Sequence, residues 1–293
     1  MNIIDAHHHI WQRADLPWLQ GPTQPRIFGP HDAIKRDYLI DEFQADTAAS
    51  GVVKSVYVQA NWPIERFVDE VAWVQHTSNA TGWPHAIVGY CDLTQPDARS
   101  DLERLRAYPA MRGIRQQLHW HENPLYRFAA EPDLARNRDL QRNVAMLEEF
   151  NWCFDLQVFA PQVGGACDLV DDCPKVTFIL QHAGMLEDLS GNGREVWRKA
   201  LADLAERPNV VAKLSGLGTF IHRNDAAHIA AIVMETVAIF GAERCMFGSN
   251  FPIEKLWTGY DDLVDAYRQA IATLSVTEQQ AIFHGTAARV YRL

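Results

Sequence analysis

Eight short apolar, β-branched runs alternate with amphipathic segments along 293 residues, and this alternation predicts a closed (β/α)8 barrel. Two further observations agree. Polar residues recur at the C-terminal ends of the runs, where such a barrel carries its chemistry. No linker or compositional break divides the chain, which reads as one domain over residues 1–293. An open doubly wound sheet is the alternative; it would normally show a Gly-rich phosphate loop after the first strand, and a histidine cluster occupies that place.

The predicted strands are residues 2–10, 52–60, 86–92, 112–119, 152–158, 176–182, 209–215 and 244–250. On the first, strict alternation sets Asp5, His7 and His9 on one face. On the second, Tyr57 and Gln59 alternate with Val56, Val58 and Ala60, and on the third Tyr90 and Asp92 share a face. The fourth aligns Arg115, Gln117 and His119, with His121 just beyond; the fifth aligns Asp155 and Gln157. The sixth ends in Gln181-His182, the seventh offers Lys213 and Ser215, and the eighth ends in Gly248-Ser249-Asn250. Between them, Phe67, Val71 and Val74, and likewise Leu140, Val144 and Leu147, have the three- and four-residue spacing of a helix face. Asp225 is placed to cap a helix carrying Ile229, Ile232, Val233, Val237 and Phe240, with Gly241 as its stop. Thr277 and Gln280 form a capping-box pattern that opens the last helix. Residues 11–40, 119–133 and 183–194 are the long irregular segments, and all three are expected over one mouth.

Composition narrows the function. A hydrophobic content of 47% and a charged content of 22% describe an ordinary globular protein. No run approaches the roughly 18 apolar residues of a membrane span, and no signal-peptide pattern opens the chain, so the expected location is cytoplasmic. The five cysteines are scattered with no C-x-x-C pair, which predicts buried thiols. A formal net charge of −10 disfavours nucleic acid and anionic membrane as partners, while leaving room for a small anionic substrate held by local arginines. The oligomeric state stays open, a homodimer included.

Two imidazoles two residues apart at a strand end can chelate a transition metal, and His182 is the residue to add to His7 and His9. Three nitrogens with an open fourth position suit a divalent ion, zinc or manganese, that supplies hydroxide for hydrolysis; an uncoordinated polar cluster is the competing reading. Arg115 suits a carboxylate or a developing oxyanion, and an ion pair with Asp92 or Asp155 is the bland alternative. Gln59, Gln117, His119, His121, Gln157, Lys213, Trp62 and Trp120 are the expected substrate-binding set. Trp11, Trp18 and Trp257 also fall in or near mouth loops, where aromatic faces suit a sugar ring or simply fill the core.

Four motifs in order, Asp5-Ala6-His7-His8-His9-Ile10-Trp11, Gly113-Ile114-Arg115-Gln116, Gln181-His182-Ala183-Gly184 and Met246-Phe247-Gly248-Ser249-Asn250-Phe251-Pro252, resemble the amidohydrolase superfamily. Within it they resemble the amidohydrolase-related branch that includes sugar lactonases. The resemblance implies a barrel hydrolase acting on lactones of sugar or aromatic-acid catabolism, with zinc or no metal depending on the member.

Two departures stand out. The family usually ends strand eight with an aspartate that serves as general base and often as metal ligand, and here Asn250 stands there. Gln157 occupies a place where tight-binding members have a histidine. Any ion is therefore expected to be weakly held or absent, and His182, Asp92, Asp155 and Glu254 are the candidate bases. The primary expectation is a lactone hydrolase using His182, Asn250 and Arg115. A metal-free lactone isomerase or decarboxylase is the alternative, and a non-catalytic sugar-acid binding protein is a third reading.

Overall fold

The computed structural model describes residues 1–293. Eight parallel strands, Ile3–His8 (β1), Val52–Val58 (β2), Ala86–Gly89 (β3), Met111–Ile114 (β4), Cys153–Leu156 (β5), Phe178–Leu180 (β6), Val210–Leu214 (β7) and Cys245–Phe247 (β8), pair in sequence order. The ring closes just beyond β8: Asn250 donates its N–H to the His7 carbonyl (2.7 Å), and His9 donates to the Phe251 carbonyl (2.8 Å). The result is a (β/α)8 barrel.

Around it run helices Ile40–Thr47 (α1), Phe67–Thr81 (α2), Arg99–Arg106 (α3), Arg138–Ala145 (α4), Leu147–Phe150 (α5), Val163–Asp172 (α6), Gly191–Ala205 (α7), Ala226–Phe240 (α8), Tyr260–Ala270 (α9), Val276–Gln280 (α10) and Thr286–Tyr291 (α11). The predicted faces of α2 and α8 are buried; Asp225 accepts from the His228 N–H and Gly241 follows α8 with positive φ. The last capping box differs from the predicted one. Ser275 and Glu278 form it, two residues earlier than Thr277 and Gln280, because Ser275 keeps extended backbone while Thr277 is already helical.

Two hydrophobic cores follow from the strand pleat. Outward residues such as Ile3, Phe154, Phe178, Leu180 and Phe247 join the helices in one core of 72 residues. Inward residues Ile4, Ala6, Val56, Val58, Ala86, Val88, Cys153, Ile179, Val211 and Met246 fill the barrel, and Tyr291 of α11 packs with them.

Three expectations change here. The strands end earlier than predicted, most clearly β4, β6 and β8, since the polar residues beyond Ile114, Leu180 and Phe247 leave the ladder to line the mouth. Val56 and Val58 are the inward residues of β2, so Tyr57 points outward and bonds Glu70 of α2 (2.7 Å). On β1 a register shift between Asp5 and His8 breaks the alternation, so Asp5 does not share a face with His7 and His9. Its carboxylate instead accepts the His7 N–H (3.0 Å), the Ser249 N–H (2.9 Å) and the Tyr260 hydroxyl (2.9 Å).

Asp5 thus ties β1, the end of β8 and α9 in a fully buried knot. Each buried donor left without a partner costs about 1–3 kcal/mol. Asp5→Ala is expected to lower the unfolding free energy by at least about 3 kcal/mol in denaturant titration, and Asp5→Asn by clearly less.

Candidate active site

A cavity of about 610 Å³ opens at the C-terminal ends of the strands. All three long irregular segments reach it: Pro17 to Phe28 from the first, Leu125 to Phe128 from the second and Met185 from the third. Its inner wall is polar, with His9, Arg115, Gln117, His119, Gln157, His182 and Asn250; Trp11, Trp18, Trp62 and Phe220 stand among its apolar lining.

Local backbone sets the key side chains. Asn250 and His182 adopt left-handed φ of 58° and 52°, each just past a strand end. Asn250 suits that conformation, while His182 and the next residue, Ala183, are held in it by their surroundings. Gly216 also has positive φ, and a Cβ there would come within 2.7 Å of the His182 ring, so the histidine packs directly on bare backbone.

His7 lies beneath the cavity floor, with its ring centroid 5.0 Å from His9 and 4.8 Å from His182. His9 donates from Nδ1 to the Val58 carbonyl (2.7 Å), and the Nδ1 of His182 pairs with the Ser215 hydroxyl (2.9 Å). Both nitrogens of His7 are buried without a partner. Burial keeps all of these rings neutral: His9, His119 and His182 are each pushed down to about 3, and His7 well below the usual range.

Arg115 is the cation among them. It is buried, donates from Nη2 to the Gln59 carbonyl (2.5 Å) and leaves Nε without a partner. Its charge helps depress His7, His9, His119 and His182, while desolvation lowers its own pKa to about 10.

The donor set does not fit a firmly held divalent ion. No three His, Cys, Asp or Glu side chains are arranged to hold one. Asn250 supplies no charge where a carboxylate would, and both Arg115 and Lys213 add positive charge beside His7.

Several predicted site residues lie elsewhere, each for a visible reason. Asp92 is consumed by Thr94, Gln95 and Gln116, whose bonds hold its carboxyl below the usual range. Asp155 and Lys213 are fully buried inside the barrel and pair with each other at 3.0 Å, so neither lines the mouth. Gln59 turns its amide to Asn61 and Arg115 and lines a small side cavity instead. His121 bonds the Asn123 N–H and packs on Tyr126 and Phe159, and Trp120 lies under Arg127. Trp257 donates to Glu254 (2.8 Å); Glu254 is buried behind Asn250, and desolvation pushes its carboxyl up to about 8.

Residues that pattern reading missed include Arg26, Asn61, Tyr126, Phe128, Thr219 and Phe220. They sit on irregular segments, where no periodicity marks them; the available signal was that Arg26 lies in 11–40 and Tyr126 and Phe128 in 119–133, segments expected over the mouth.

A strand-end mouth with neutral imidazoles, an unpaired arginine and an apolar vestibule defines a small-molecule barrel enzyme. The chain belongs to the amidohydrolase family, whose model matches residues 4–293, and is a hydrolase of that family. It is similar to an uncharacterized protein, y4mH, of Sinorhizobium fredii (36% identical, 99% of this chain and 98% of the relative). It is also similar to L-fucono-1,5-lactonases of Burkholderia multivorans (32% identical, 99% and 96%) and Burkholderia ambifaria (28%, 99% and 95%). A crystal structure of a Burkholderia multivorans amidohydrolase with bound zinc superposes with a TM-score of 0.84 at 29% identity, covering both chains fully.

The neutral histidines have a consequence for stability. A buried imidazole whose folded pKa lies below its unfolded value of about 6.5 stabilises the fold fully above pH 6.5 and loses that contribution as pH falls toward about 3, at roughly 1.4 kcal/mol per pH unit per group. Thermal melts are expected to show Tm falling steeply between pH 6.5 and 5, above the range in which ordinary carboxylates titrate. His119→Phe, which removes one such group, is expected to shallow that slope.

Proposed function

We propose that the chain hydrolyses a small lactone of the sugar-acid type. The observation that carries this reading is the unpaired Arg115 guanidinium set among neutral imidazoles at the floor of the cavity, supported by the likeness to L-fucono-1,5-lactonases. Arg115 receives the lactone carbonyl oxygen and carries the negative charge that develops on it as water adds. His182, oriented by Ser215, accepts a proton from the attacking water through Nε2, and Asn250 positions that water. The ring C–O bond then breaks, its oxygen takes up a proton, and the open hydroxy acid leaves as a carboxylate with one proton released. The apolar and aromatic vestibule excludes water and covers the faces of the ring.

His182 is a weak base at a pKa of about 3, so charge stabilisation by Arg115 supplies the larger share of the rate.

A panel of aldonolactones that includes L-fucono-1,5-lactone tests the reading. Turnover is expected to persist after exhaustive chelation and to place one oxygen from labelled water in the acid. Arg115→Met is expected to lower kcat by about 10²–10³ and His182→Asn by at least about 10². A product without label identifies isomerisation instead, and unchanged turnover in Arg115→Met removes the mechanism.

A further inference from the structure

The cavity inverts the charge of the molecule. The chain has 37 Asp and Glu against 27 Lys and Arg, yet the cavity is lined by three arginines, Arg26, Arg115 and Arg127, and by no Asp or Glu. Two of the three have duties. Arg115 sits on the floor, and Arg127 donates to the carbonyls of His121 and Glu122 (3.0 Å each) while lying 4.7 Å from the Trp120 ring centroid.

Arg26 has no such duty. It comes from the irregular segment over the mouth and is half-buried, with its guanidinium 5.8 Å from the Trp18 ring centroid. Its Nε is buried without a hydrogen-bond partner, and no carboxylate pairs with it. Its charge is only half-buried, yet a molecule with ten excess negative charges leaves it without an acid partner. Its position is also held rather than loose. His222 donates to the Ile27 carbonyl (3.2 Å), and Gly29, at φ 74°, accepts the His222 ring where any Cβ would clash at 2.9 Å.

We propose that Arg26 receives an anionic group carried by the substrate away from the ester, so that the lactone opened here is itself an acid: the monolactone of a dicarboxylic sugar acid. This rests on the lactonase reading and narrows its substrate class. A guanidinium presents parallel N–H donors that match a carboxylate, and the Trp18 ring lies within cation–π range of it at 5.8 Å. Arg115, which takes the carbonyl oxygen in the proposed reaction, lines the same cavity as Arg26, and no Asp or Glu lines it to compete for either cation.

The test compares three lactones, an aldaric monolactone, a phosphorylated aldonolactone and a neutral aldonolactone, with the native chain, Arg26→Gln and Arg26→Lys. The native chain is expected to favour the aldaric monolactone over the neutral lactone in kcat/KM, and a lead for the phosphorylated lactone overturns the carboxylate assignment. Arg26→Gln is expected to reduce that preference about tenfold, through KM rather than kcat, and Arg26→Lys to restore part of it. Equal or better turnover of the neutral lactone, with a ratio indifferent to Arg26→Gln, overturns the proposal while leaving the lactonase reading intact.

Failure of every lactone would instead remove the lactonase reading. Calorimetric binding of the open dicarboxylate then judges Arg26 by itself. A tenfold or greater loss of affinity in Arg26→Gln supports the anion site, and equal affinity overturns it.

Discussion

The carboxylate of Asp5 is the constraint on which the site depends. A barrel must join its last strand to its first, and here β8 is only three residues long. Asp5 accepts the backbone N–H groups of His7 and Ser249 on either side of the seam, and Tyr260 braces it from α9. The bulge that follows turns His7 and His9 inward, and the same knot sets Asn250 opposite them. Chemistry at the mouth is thus positioned by a side chain that never faces the cavity.

Desolvation does the next share of the work. It pushes the pKa of His7, His8, His9, His119 and His182 down, so their neutral forms prevail near neutral pH. His8 is not part of the cavity lining; it stacks on Phe43 at 3.9 Å between ring centroids. Below the floor, Lys213 and Asp155 close a private ion pair, and the Tyr291 ring lies 5.6 Å from the ammonium. Arg115 forms no salt bridge at the cavity floor, so its field reaches whatever occupies the space above it.

Much of this was legible in the sequence because period reports burial. The eight runs, their order and the inward set Arg115, Gln117, His119, Gln157 follow from alternation alone, and His182 and Asn250 follow from their places just past strand ends. Alternation failed where the backbone broke it. The bulge after Asp5 moved that residue to the outer face, and the true parity of β2 sent Tyr57 to Glu70. Asp92, Asp155 and Lys213 had the right residue types for chemistry, yet local loop bonds and a buried pairing partner claimed them, and neither is written in spacing. Arg26 was invisible for the opposite reason. Irregular backbone has no period, and its significance is the absence of a partner, which only three dimensions display.

The segment over the mouth is tied to the barrel by Trp18 on the Ala60 carbonyl, Asp15 on Arg66, His222 on Ile27 and the side chains of Trp11, Leu16, Leu19 and Ile34 in the core. It contributes a large part of the vestibule, and it shares no residue with the Asp5 seam. Descent with modification can therefore rewrite what this barrel admits without reopening how it is built. Paralogues that diverge in residues 17–28 while retaining Asp5, Arg115 and His182 would keep one reaction and trade in different molecules, so that segment is where lineages of this barrel should be told apart.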